Sequence, residues 1–119
     1  MTRPVLKRVY EAPCADDGMR ILVDRLWPRG LSKEKAKVDL WLKDVSPSDE
    51  LRRNLHGDPA RWDEFVAAYD RELRQEPAKS ALVVLRAHIA KGRVTLLYAA
   101  RDEAHNNAVA LLGWLEKHQ

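Results

Sequence analysis

Ile21-Leu22-Val23-Asp24-Arg25-Leu26-Trp27, closed by Pro28-Arg29-Gly30, is the stretch that decides the fold class. An apolar run of strand length that does not alternate with polar residues belongs to a strand covered on both faces, the signature of a parallel sheet under helices. Val94 to Ala100 repeats the pattern. Val5 to Tyr10 reads as a further short strand, followed by a loop from Glu11 to Gly18. Val38, Leu40 and Leu42 alternate with Asp39, Trp41 and Lys43, which suits a half-exposed strand or a short helix.

Helices fill the intervals. Ser46, Pro47, Asp49 and Glu50 have the composition of a helix start, with a capping hydroxyl, an early proline and acids favoured by the dipole; this helix is expected to end near His56-Gly57. After Asp58-Pro59, residues Trp62, Phe65, Val66, Tyr69 and Leu73 form one helical stripe. Pro77 opens another helix, with Ala81, Leu82, Leu85 and Ile89 inward and Lys91-Gly92 at its end. Asp102 is read as the cap of a last helix whose inward stripe is Ala104, Ala108, Leu111, Leu112 and Leu115. A helix, strand, helix ending implies a parallel crossover, so the expectation is an α/β fold: one compact domain, 1–119, with a small, mainly parallel sheet covered by helices.

Bulk composition narrows the function classes. The 119 residues are 45% hydrophobic and 33% charged, a globular balance. The net charge of +3 comes from 21 basic and 18 acidic residues, permissive for anionic partners without demanding them. Cys14 is the single cysteine, so an internal disulfide and a thiolate metal cluster are excluded, and its acidic neighbours Asp16 and Asp17 do not activate a thiol. The first 20 residues hold no apolar core of signal-peptide length, the longest apolar runs, Ala81 to Leu85 and Val94 to Ala100, are too short to span a membrane, and a cytoplasmic protein is expected. Without a Walker loop, dinucleotide fingerprint, nucleophile elbow or paired zinc ligands, the sequence names no cofactor and no metal site.

Open α/β sheets bind ligands beyond the carboxyl ends of their strands. Here three exits carry the same chemistry: Asp24-Arg25-Leu26-Trp27-Pro28-Arg29-Gly30, Lys43-Asp44, and Arg101-Asp102 with His105-Asn106-Asn107 after it. Arginine forks beside a helix amino end suit phosphate or carboxylate. Arg25, Trp27, Arg29, Lys43, Arg101 and Asn106 are therefore the ligand-binding candidates, with Arg29 foremost because Trp27-Pro28-Arg29-Gly30 makes a stiff turn. Asp24, Asp102 and His105 are the catalytic candidates, as base, ligand of a magnesium carried with a phosphate, or proton shuttle. Each has a structural alternative: Asp24 as half of an ion pair with Arg25, Arg29 or Arg101, Asp102 as a helix cap, Lys43 and Asp44 as turn residues, His105 as a surface histidine.

Arg8-Val9-Tyr10-Glu11, the run from Arg20 to Gly30, Trp41 to Asp44, Pro47-Ser48, Leu51-Arg52 and Leu97 to Asp102 with Asn106-Asn107 together resemble the YeaO-like branch of the bacterial domain-of-unknown-function family 488. The resemblance covers almost the whole chain and implies a small intracellular α/β domain with no established activity. Longer members carry a Cys-His-Arg cluster where this chain has Asn106, Asn107 and Ala108, so cysteine chemistry is not carried over.

Three functions stay open. One is a small anionic ligand at the strand exits, bound or turned over. The second is nucleic acid held by Arg3, Lys7, Arg8, Arg25 and Arg29, with Trp27 for stacking. The third is self-association or partner binding through Trp41 and Trp114.

Overall fold

Val94–Tyr98 (β4) is buried at every residue and lies in the middle of a four-stranded sheet of order β1-β4-β2-β3. Its neighbours are Val5–Arg8 (β1) and Met19–Leu22 (β2), and Leu40–Trp41 (β3) forms the edge beyond β2. Every pairing is parallel, with Val5 opposite Thr95, Met19 opposite Val94 and Ile21 opposite Leu40. The computed structural model describes residues 3–55 and 59–118. The predicted helix end at His56-Gly57 and the restart at Asp58 lie outside them.

The period of two along the strands divides the core. Ile21, Val23, Val94, Leu96 and Tyr98 face one side, where they pack with Trp62–Leu73 (α3), Ala78–Lys91 (α4) and Asn107–Lys117 (α5), and with Leu51 of Asp49–Leu55 (α2). Val9, Leu22 and Leu97 face the other, under Ala36 of a short helix, Lys33–Ala36 (α1), with Trp27, Leu31, Val38 and Trp41. The α3 stripe behaves as its spacing predicts: Phe65, Tyr69 and Leu73 are buried, and the Tyr69 hydroxyl donates to the Val45 carbonyl at 2.5 Å.

Several boundaries differ from the sequence reading. β2 ends at Leu22 and not at Trp27, because after Val23, whose amide still reaches the Leu97 carbonyl, the Asp24 side chain takes over the Ala99 amide. Its apolar continuation serves other ends: Leu26 is 58% exposed and Trp27 packs into the second cluster. β1, β3 and β4 are likewise shorter than predicted, ending at Arg8, Trp41 and Tyr98. The hydroxyl at the start of α2 is that of Ser48, which accepts the Leu51 amide at 3.2 Å, whereas Ser46 donates to the Lys43 carbonyl. The cap of α5 is Asn106, which accepts the Val109 amide at 2.9 Å, and not Asp102. Ala104 therefore lies ahead of the helix and is exposed. The helix α1 was not foreseen.

At the amino ends of the strands stands a buried ionic knot. Arg20 donates to Asp17 at 2.6 Å, to the Ala36 carbonyl at 2.8 Å and to the Lys37 carbonyl at 2.9 Å, so it closes the end of α1 while pairing its charge. Lys7 adds a second cation 3.2 Å from Asp17. Burial alone raises the Asp17 pKa, but the Cys14 amide, Lys7 and Arg20 outweigh it and hold the carboxyl below the usual aspartate range. The adjoining Gly18 has φ +65°, and a Cβ there would lie 2.3 Å from the Arg93 carbonyl oxygen.

Candidate functional site at the strand exits

The carboxyl ends of β1, β2 and β4 open into a cleft of about 780 Å³. Asp24 lines it. One carboxylate oxygen accepts the Ala99 amide at 2.9 Å and the other accepts the Asn107 side-chain amide at 3.0 Å, while the same Asn107 nitrogen donates to the Val23 carbonyl. Burial raises the Asp24 pKa; the bonds from Asn107 and Ala99 and the charge of Arg52 oppose that without cancelling it. The predicted ion pair of Asp24 with Arg25, Arg29 or Arg101 does not form. Two neutral donors fill the role, because the turn at 99–101 and the first turn of α5 reach Asp24 before any guanidinium does.

Arg25 lies flat along the wall, donating to the Pro47 carbonyl at 3.1 Å and the Ser46 carbonyl at 3.4 Å, with Asp49 at 3.9 Å. Trp27 is half-buried: its indole donates to the Leu31 carbonyl at 2.7 Å and its ring meets Trp41 edge-on at 5.5 Å. Pro28 is buried and Gly30 has φ +75°, so the turn presents Arg29 outward at the cleft mouth. Tyr10 ties this turn down by donating its hydroxyl to the Arg29 carbonyl at 2.8 Å.

The opposite wall is the loop 99–106. Asp102 accepts the Ala104 and His105 amides at 2.9 and 3.0 Å and sits 3.2 Å from His105 Nδ1. These backbone bonds hold its carboxyl below the usual range. His105 lies in this loop and not in a helical turn, its ring edge-on to Trp62 at 5.2 Å. Asn106 is buried, donating to the Asp102 carbonyl while capping α5. Arg101 is exposed on the lining.

Of the sequence candidates, Asp24, Arg25, Trp27, Arg29, Arg101, Asp102, His105 and Asn106 all line this cleft. Lys43 does not. Its ammonium stands 4.3 Å from the centre of the Trp41 ring, an attraction that turns it away from the other exits. Tyr10, Arg52 and Pro47 line the cleft without having been predicted, and Asn107, read at the last exit but not among the binding candidates, lines it too. Tyr10 had a readable signal, since it follows β1 and was the fourth strand exit; Arg52 had none. Among the described residues no three His, Cys, Asp or Glu side chains gather as a metal site, and no helix is long and apolar enough to cross a membrane.

A parallel α/β sheet with an arginine-lined cleft at its carboxyl edge is the class of protein the fold and site define. Within that class, the chain belongs to the family described as the inactive DUF488-N3 subclade, whose model matches residues 4–119. It is 43% identical over 110 residues to the uncharacterized protein YeaO of Escherichia coli (strain K12), covering 92% of this chain and 93% of that one. An uncharacterized protein of Mycobacterium tuberculosis (strain ATCC 25618 / H37Rv) is 44% identical over 110 residues, covering 92% of this chain and 91% of its own. No solved structure matches.

Proposed function

We propose that the cleft binds a small ligand bearing a phosphate or carboxylate group, without turning it over. The observation that carries this reading is the state of the charges around the cleft. The guanidinium groups of Arg29 and Arg101, on the exits of β2 and β4, have no hydrogen-bonding or ionic partner among the described residues, the one bond to Arg29 being that of its backbone carbonyl with Tyr10. The neighbouring acids are occupied: both Asp24 oxygens and both Asp102 oxygens face donors of their own. Two free guanidinium forks on one cleft, whose lining includes Asn106 and Asn107 at the amino end of α5, suit an anionic ligand, and the cleft volume falls in the range of small-molecule sites. The subclade description, inactive, agrees with binding in place of catalysis, and the catalytic roles read for Asp24, Asp102 and His105 give way to positioning ones.

The nucleic-acid reading draws less support from the same geometry. Arg3 pairs with Glu116, Lys7 with Asp17, Arg8 donates to the Ala99 and Ala100 carbonyls, and Arg25 is held by Ser46 and Pro47, so only Arg29 of that set is uncommitted. The Trp27 ring is engaged with Trp41 and is no stacking platform.

The test is a thermal-shift panel of phosphate, nucleotides, phosphorylated and carboxylate metabolites on the wild type, Arg29→Ala, Arg101→Ala and the double variant. A ligand at a hundred times its Kd stabilises by about 2.7 kcal/mol, several degrees in a domain of this size. A shift present in the wild type and lost in the variants supports the reading. A flat panel, or an equal shift in the double variant, overturns it.

A further inference from the structure

α4 carries two apolar faces. Ala78, Ala81, Leu82, Leu85 and Ile89 face the core and are buried. Val83 and Val84, on the other side, are 68% and 43% exposed, and Ala87 beside them is exposed too. At 3.6 residues per turn, Ser80, Val83, Val84, Ala87 and Lys91 fall within about 100° of arc, diametrically opposite the core stripe. Glu76, just ahead of the helix, joins the same face, because its carboxylate accepts both the Ser80 amide and the Ser80 hydroxyl at 2.9 Å. Those bonds also hold Glu76 below the usual glutamate range, so it is ionised at neutral pH.

The order of residues on this face is symmetric. Glu76 with Lys91, Ser80 with Ala87, and Val83 with Val84 are three pairs centred on one point, midway between Val83 and Val84. With opposite charges in the outer pair and apolar residues in the central one, the surface is complementary to itself under a two-fold axis through its centre, which is the requirement for an isologous contact. Two α4 helices crossing antiparallel would set Val83 of each against Val84 of the other. Ser80 and Ala87 are small enough to let the backbones approach to about 8–10 Å. Each Glu76 would meet the Lys91 of the other copy, giving two ion pairs of matched sign at the rim.

We infer that the outer face of α4 is a homodimer contact, with a second copy of this chain as its occupant in antiparallel register about the Val83–Val84 midpoint. This contact is separate from the cleft and does not rest on ligand binding there. A helix of 14 residues is about 21 Å long, so the buried area lies at the small end of specific interfaces and the dimer is a weak, reversible one.

Sedimentation velocity over about 1 μM to about 1 mM tests the inference, with melting temperatures as the check on folding. The wild type is expected to shift from monomer to dimer within that range. Val83→Lys, at an exposed position, keeps the melting temperature and abolishes the shift. Glu76→Lys and Lys91→Glu place like charges opposite each other twice and weaken self-association by about tenfold or more. Mixed in equal amounts, those two variants meet opposite charges at both rims, and the mixture associates like the wild type. A monomer across the whole range overturns the inference, as does a dimer that Val83→Lys leaves at wild-type strength. Failure of the mixture to regain association, with both variants folded, overturns the antiparallel register.

Discussion

Asn107, in the first turn of α5, and Asp24, just past β2, are joined by a 3.0 Å hydrogen bond from the same amide nitrogen that holds the Val23 carbonyl. Helix and strand are thus pinned to one another at the cleft. Asp24→Asn turns one acceptor into a donor, which must face either the Ala99 amide or the Asn107 amide. A loss of about 1–2 kcal/mol is expected in chemical denaturation. The Asp24 pKa is raised on folding above 3.8, so its proton-linked contribution is complete below the unfolded value and decays as pH rises through the folded one. The cost of Asp24→Asn should accordingly shrink from acid to neutral pH. A pH-independent difference would show that Asp24 titrates alike in both states.

Asp17 titrates with the opposite sign. Its folded pKa lies below 3.8, so the stability it contributes is present above the unfolded value and is lost as pH falls through the folded one. Asp17→Ala strands the Arg20 charge in a buried site and should cost about 3–5 kcal/mol at neutral pH. Guanidinium melts at pH 7 and pH 3 check both statements: the variant should approach the wild type in acid.

Gly18→Ala should cost about 2 kcal/mol or more, since the residue keeps a positive φ and its Cβ would collide with a backbone carbonyl that cannot swing away. The Met19 amide donates to that carbonyl at 3.0 Å. Loss of this bond should appear as faster amide exchange at Met19; unchanged exchange and melting would mean the turn relaxes freely.

Asn106→Ala removes the cap of α5 together with the bond to the Asp102 carbonyl and should lower stability by about 1–2 kcal/mol. Asp102→Ala should cost less, because its bonds order an exposed turn that precedes the helix. Thermal melts of the two variants side by side decide the matter. A larger loss at Asp102 would restore it as the cap.

The helices and the central strand were legible wherever periodicity or an apolar run was long enough. α3 and α4 read correctly because a stripe of residues facing one core leaves its period in the sequence, and β4 was found from its unbroken apolar run although it stops at Tyr98, short of the predicted Ala100. The end of β2 was not legible. Leu26 and Trp27 are as apolar as Ile21 and Leu22, and only the competition of the Asp24 side chain for the Ala99 amide ends the ladder. The cap of α5 was ambiguous for a local reason: Asp102 and Asn106 are both good capping residues four positions apart, and each does accept backbone amides. α1 left too little signal in four residues, for its carboxyl end is closed by Arg20 from across the fold.

For the cleft, chain order alone determined which residues stand at the exits of a parallel sheet, because parallel strands send all their carboxyl ends to one edge. Basic and acidic side chains were therefore bound to meet there. Which of those charges would be spent on the protein itself was decided only in three dimensions. Arg25 found the carbonyls of Ser46 and Pro47, Lys43 the ring of Trp41, and Asp24 the amides of Ala99 and Asn107. Hydrogen bonds and ring contacts act over a few ångströms, so partners far apart in the chain are settled by packing and leave no periodic trace. Arg29 and Arg101 are what that packing leaves uncommitted at the cleft.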